Sequence, residues 1–160
     1  MKMRRPEKAM PDGEAHILLA EGEFGVISSV DRHGQPYGVP VNYCLVDDGI
    51  YFHCALAGRK IDNFADNPKV SFCVVENNRL IPQKFTTEYD SVMVFGLISE
   101  VFSHEKQTAL KALIKKYSGD FWQQGFKYIE AKSHKTRVFK ISINQITGKS
   151  SKRYGQKSAG

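Results

Sequence analysis

Residues 24–55 read FGVISSVDRHGQPYGVPVNYCLVDDGIYFHCA, and this stretch decides the fold. FGVISSV (24–30) is rich in β-branched residues and runs into the polar turn DRHGQP. YGVPVNYCLV (37–46) reads as the return strand, and the tight turn DDG leads into a third, IYFHCA (50–55). Strands in such quick succession are expected to pair as an antiparallel meander.

Working outward, EAHILLA is expected to be a short helix that Asp12 caps and Gly22 closes. KIDNFADNP is a second, with Ile61, Phe64 and Ala65 on one face and Pro68 as its stop. KVSFCVV is a strand, 76–90 a loop or irregular excursion, and SVMVFGLISEVF a long strand with a bulge or bend at Gly96. HEKQTALKALIKKY places Leu110, Leu113, Ile114 and Tyr117 at helical spacing. TRVFKISINQI alternates Arg137, Phe139, Ile141 and Ile143 against Val138, Lys140, Ser142 and Asn144, the two-residue period of a half-buried strand. About six strands with few helices predict a mainly β protein, an antiparallel barrel or strongly curved sheet. The expectation is one domain over 1–150 and a flexible basic tail over 151–160.

Hydrophobic content of 41% and charged content of 25% are those of a soluble globular chain. No apolar run reaches the roughly 20 residues that cross a bilayer, and the basic N-terminus lacks the apolar core of a secretory signal. The expected compartment is the cytoplasm, with no membrane partner. Cys44, Cys54 and Cys73 have no metal-ligand spacing and sit in apolar runs, so they read as buried free thiols. The net charge of +6 is concentrated partly at the two ends, in Lys2, Arg4, Arg5 and Lys8 and in Lys149, Lys152, Arg153 and Lys157. Such a distribution attracts anions in general and argues against a nucleic-acid partner.

Several chemistries are excluded by spacing. GKS at 148–150 has Ile143 where a phosphate-binding loop needs glycine, and His104-Glu105 is followed by Thr108 where a zinc-protease helix needs histidine. No metal site is expected. One junction survives, ALAGRK (55–60), where a strand hands over to a helix. A helix N-terminus favours anions, so Arg59 and Lys60 are placed against the local dipole. A bound phosphate would relieve that conflict, gripped by Arg59 and Lys60 with Gly58 admitting the backbone. A solvated surface pair is the other reading, and the local chemistry leaves both open. Pro40 removes a ladder donor, which either frees backbone groups for a ligand or guards an edge strand. His53 has no acid or serine close in sequence to make it a base.

In order, PYGVPVNY, DGIYFHCALAGRKIDNFADNPKVSF, YDSVMVFG and ITGK resemble the pyridoxamine 5′-phosphate oxidase-like flavin-binding superfamily. Within it, the chain is most similar to the group related to 5-nitroimidazole resistance proteins. The resemblance implies an FMN-binding split β-barrel and a homodimer with FMN at its interface. It implies that Arg59 and Lys60 meet the FMN phosphate with Gly58 at the turn. Val39, Pro40, Val41, Asn42 and Tyr43 would run beside the isoalloxazine ring, with His53, Ala55, Ser91 and Val92 near the cofactor and Trp122 or Lys149 as further contributors. The implied activity is reduction of a nitroaromatic or related small electron acceptor by bound flavin, with His53 as proton donor or acceptor-orienting group. The alternative is a non-enzymatic flavin- or haem-binding module for storage or sensing.

Overall fold

The strand expected over 37–46 breaks in two, and that break shapes the molecule. The computed structural model describes residues 3–151. In chain order these form β1 (Ala9–Met10), α1 (Asp12–Glu21), β2 (Gly25–Val30), β3 (Pro36–Val41), β4 (Cys44–Val46), β5 (Gly49–Cys54) and α2 (Arg59–Asp66). They continue with β6 (Lys69–Ile81), β7 (Thr86–Val101), α3 (Ser103–Tyr117), α4 (Trp122–Lys132) and β8 (Arg137–Ser150). Of the expected tail, 152–160 lie outside the described residues. Ser151 is hydrogen-bonded through its amide to the Tyr89 carbonyl.

All pairings are antiparallel, in the order β3-β2-β6-β7-β8-β5-β4, with β1 added beside β8. The continuous meander is therefore replaced by two hairpins, β2–β3 and β4–β5, at opposite ends of the path. Only Asn42 and Tyr43 separate those two end strands in the chain. Val41 and Cys44 are three peptide units apart, which limits their Cα separation to about 11 Å. The ends of the path must therefore meet, and the sheet curls into a barrel.

Tyr43 is what breaks the strand. Its side chain is fully buried, meets Phe72 edge-on at 4.8 Å and donates its hydroxyl to the Leu19 carbonyl. Its amide leaves the ladder and donates to the Tyr117 hydroxyl at 2.9 Å, while that hydroxyl donates to the Glu23 carbonyl at 2.6 Å. One phenol thus ties the end of α3 to both sides of the barrel seam. Tyr117→Phe strands a buried amide and should lower stability by about 1–3 kcal/mol. Denaturant unfolding checks this; an unchanged midpoint would show that the seam holds without the phenol.

Inside the barrel, Phe52, Phe64 and Phe139 form an aromatic cluster, with Phe64 and Phe139 5.2 Å apart. A second core, of Tyr51, Val101, Ala109, Leu110, Leu113, Ile129 and Val138, glues α3 and α4 to the outside of the sheet. Gly96 sits at the expected irregularity: the register with β8 skips Asn144 there, and a Cβ on Gly96 would stand 2.3 Å from the Ser142 carbonyl oxygen. Burial raises all three thiols above the ordinary cysteine value, Cys44 to about 11.

Three local expectations change. Residues 76–90 are a hairpin arm, not an irregular loop; its strands outrun the core, held by the ladder and by Arg79–Glu88 at 2.8 Å. Asp12 is the first residue of α1 rather than its cap, and the Pro11 carbonyl receives the Ala15 amide instead. On α2, Ala65 is exposed and Asn63 takes the third buried place, its amide donating to the Ser29 hydroxyl at 3.0 Å. Helix α4 lies in a stretch for which no element was expected, and it carries Gly125 in its middle. A Cβ there would come 2.4 Å from Ile114, so the glycine lets α3 and α4 close on each other. No helix among the described residues is long and apolar enough to cross a membrane.

Candidate functional site

The junction between β5 and α2 is built on Gly58. Its backbone lies at φ 144° and ψ 160°, a region essentially closed to side-chain-bearing residues, and its carbonyl receives the amides of Ile61 and Asp62. Ile61 and Phe64 anchor the helix in the barrel core. The N-terminal turn is thereby fixed in place, with no side chain capping it. Gly58→Ala meets open space, so only backbone strain opposes it. A loss of about 1–3 kcal/mol is expected in equilibrium unfolding; a neutral result would mean that the turn relaxes to an ordinary conformation.

Arg59 is drawn back over the barrel end. Its guanidinium lies 3.8 Å from Asp31 and 5.4 Å above the ring of Tyr37, the second residue of β3. Asp31 is itself oriented by the amides of His33 and Gln35, and the Gln35 amide is the main cause holding its carboxyl below the usual range. Lys60 is half-exposed, close enough to Cys54 to oppose the upward shift of that thiol, and forms no ion pair with a described residue. The result is an exposed cationic corner with one committed and one uncommitted charge. The sequence reading missed Asp31 and Tyr37; their signal was the DRHGQPY turn, whose aspartate folds back only once β2 and β3 are paired.

The other expected contributors divide by face. Val39 and Val41 pack toward the barrel interior, and Pro40 lies on the outer face opposite Val26. Asn42 is exposed beside an open hollow of about 400 Å³ shared with Glu21, Glu23, Phe24, Lys116 and Tyr117. Tyr43 and Val92 are fully buried, so only their backbones can border a ligand. Ala55 is exposed just past β5. Ser91 faces outward on β7 beside Lys149, whose ammonium lies 6.0 Å from the Tyr89 ring. Trp122 is half-exposed at the start of α4 and packs edge-on to Phe126 at 5.4 Å.

His53 is set apart from the cationic corner. It points away from the barrel interior and lines a cavity of about 120 Å³ beneath α3 and α4, which shares no lining residue with the hollow around Arg59. Its side chain is exposed by surface area, yet the surrounding helices take enough water from the ring to lower its pKa from 6.5, and the imidazole hydrogen-bonds to no described residue. Histidine NMR should place its titration midpoint below 6.5; a midpoint at or above that value would show that solvent reaching the exposed ring outweighs the desolvation.

The strand register also assembles an outward apolar face. Pro40, Val26, Cys73, Met93 and Thr147 stand in one row across β3, β2, β6, β7 and β8. Val75, Phe95 and Leu97 lie on the same face and are 40–46% exposed.

Comparison with known proteins bears on this arrangement. The family model for pyridoxamine 5′-phosphate oxidase matches residues 11–150. The uncharacterised protein RA0666 of Rhizobium meliloti is 30% identical over 125 residues, covering 74% of this chain and 75% of the relative. A candidate 5-nitroimidazole antibiotic resistance protein of Bacteroides thetaiotaomicron superposes with a TM-score of 0.76 at 24% identity, over 88% of this chain and 85% of that one. The FAD and haem binding protein of Mycobacterium smegmatis gives 0.78 at 17% identity, over 91% and 74%. With an antiparallel barrel closed at Asn42–Tyr43 and a family match spanning nearly its whole length, the chain belongs to the pyridoxamine 5′-phosphate oxidase family and has its split-barrel fold.

Proposed function

We propose that the protein is an FMN-dependent oxidoreductase of the cytoplasm that reduces small nitroaromatic or related acceptors. The observation that carries this is the Gly58–Arg59–Lys60 corner, where a fixed helix N-terminus, a glycine-only turn and two cations converge on exposed space. Those features fit the phosphate of a flavin mononucleotide. The helix end and Lys60 supply uncommitted positive charge, Arg59 supplies a planar fork, and the bare Gly58 lets the backbone approach. Asp31 is the opposing element: it holds Arg59 at 3.8 Å and would have to share it with a phosphate.

Bound flavin would supply the electron transfer. The chain's own part is to hold and shield. Arg59 and Lys60 hold the phosphate end, Tyr37 and Pro40 border the adjacent strand, and the outward face of Val26, Cys73, Val75, Met93, Phe95 and Leu97 excludes water by pairing with a second copy. Exposed apolar surface of this kind marks an association site, and twofold pairing would set two cationic corners into one assembly. His53 has no acid to relay a proton, so its part in this reading is to orient a small molecule.

The second reading is a non-enzymatic flavin or haem carrier. The neutral, unpartnered imidazole of His53 favours it, since that form ligates iron. The adjoining hollow of about 120 Å³ holds about one aromatic ring, so a porphyrin bound at His53 would stand largely outside it. Turnover separates the two. With FMN bound, oxidation of a nicotinamide donor should depend on an added nitroaromatic acceptor; flavin binding without such turnover would overturn the enzyme and leave the carrier.

A further inference from the structure

We infer that the cavity between β5 and the α3–α4 pair is a binding site for a small aromatic molecule carrying one anionic group, of the benzoate class. This does not rest on the flavin reading, because the cavity and the cationic corner share no residue.

The walls set the apolar part. Leu110, Leu113 and Ile114 come from α3 and Ile129 from α4, with Tyr128 at the rim. The volume of about 120 Å³ is of the order of engineered apolar cavities that take up benzene, so one planar ring fits. Gly125 keeps the two helices close, which makes the slot narrow.

The polar groups set the charge. Among the lining residues, the exposed His53 is the one imidazole, and Lys132, Ser133 and Thr136 are the other polar groups besides Tyr128. No carboxylate lines it. Lys132 forms no ion pair with a described residue, whereas the nearby Lys106 ammonium is already committed to the Thr136 carbonyl at 2.5 Å. Desolvation by the surrounding helices lowers the basicity of the exposed His53 and favours the neutral imidazole, which offers one donor and one acceptor to a ligand. An apolar slot with one free cation and one neutral imidazole is complementary to a ring bearing a carboxylate. A cationic ligand would be repelled by Lys132, and a neutral one would leave it unused.

The test uses the full chain and sodium benzoate, followed by calorimetry and by histidine NMR, with His53→Gln assigning the resonance. Benzoate is expected to bind at one site and to shift the His53 imidazole while leaving His33 and His104 in place. Lys132→Gln should weaken binding about tenfold. Lys127→Gln, which removes the same charge from an exposed position of α4 outside the lining, should leave it unchanged. Benzyl alcohol, of the same shape without the charge, should bind about as weakly to the wild type as benzoate does to Lys132→Gln. No binding of benzoate, an unshifted His53, or equal losses from the two lysine variants would overturn the site. Benzyl alcohol binding as tightly as benzoate would overturn its anionic character.

Discussion

Replacing Arg59 and Lys60 together by alanine is expected to weaken FMN binding by about 100-fold or more. Each charge-assisted hydrogen bond to a phosphate contributes about 1.5–3 kcal/mol, and every 1.4 kcal/mol is about tenfold in affinity. The loss is compounded locally, because Asp31 stays behind with its carboxylate held ionised by the His33 and Gln35 amides. Once Arg59 is gone, that charge faces the phosphate unopposed. Two controls isolate the effect. Lys152→Ala removes a tail charge and should leave affinity unchanged, so equal losses would reduce the corner to general electrostatics. Riboflavin, which lacks the phosphate, should bind wild type and double variant alike; a parallel loss of riboflavin affinity would point to damaged structure.

The second large effect is expected from Phe95→Glu. Phe95 is 40% exposed on the outward face of β7, between Ser71 of β6 and Gln145 of β8. If that face pairs with a second copy, a twofold interface receives the substitution twice, and each carboxylate is buried without a partner. Removing water from one unpaired charge costs several kcal/mol, enough to dissociate a dimer at micromolar concentration. Light scattering should give twice the chain mass for the wild type and the chain mass for Phe95→Glu, with the unfolding midpoint of the monomer little changed. A wild-type monomer, or a variant that stays dimeric, would remove this face from the proposed assembly. Flavin affinity should fall together with the dimer, because the resemblance puts the cofactor between copies.

The strands that bury one face were legible because alternation is a local property. β2, β5 and β8 are recognisable from Ile27, Phe52 and Ile141 and their spacing. What the sequence does not encode locally is which edge meets which. The split at Asn42–Tyr43 depends on Tyr117, 74 residues away, taking the Tyr43 amide. The arm over 76–90 leaves its apolar Leu80 and Phe85 70% and 97% exposed, and its order comes from ladder hydrogen bonds and the Arg79–Glu88 pair, which leave no hydrophobic pattern. At the site, the glycine-and-cation junction was readable because φ 144° at Gly58 demands glycine. The pairing of Arg59 with Asp31 was not, since it requires the β2–β3 turn and α2 to meet in space. His53 shows the same limit. Its strand was identified, but which hollow its ring lines depends on α4, far along the chain, packing beside it.

The central claim is that the corner at Gly58 holds a flavin phosphate, and one titration decides it. Purified full-length protein, stripped of any bound chromophore, is titrated with FMN while flavin absorption and fluorescence are followed. Saturation at one FMN per chain, with a much weaker response to riboflavin, is the expected result. Protein that stays colourless and cannot be reconstituted with FMN, or that binds riboflavin equally well, would contradict it.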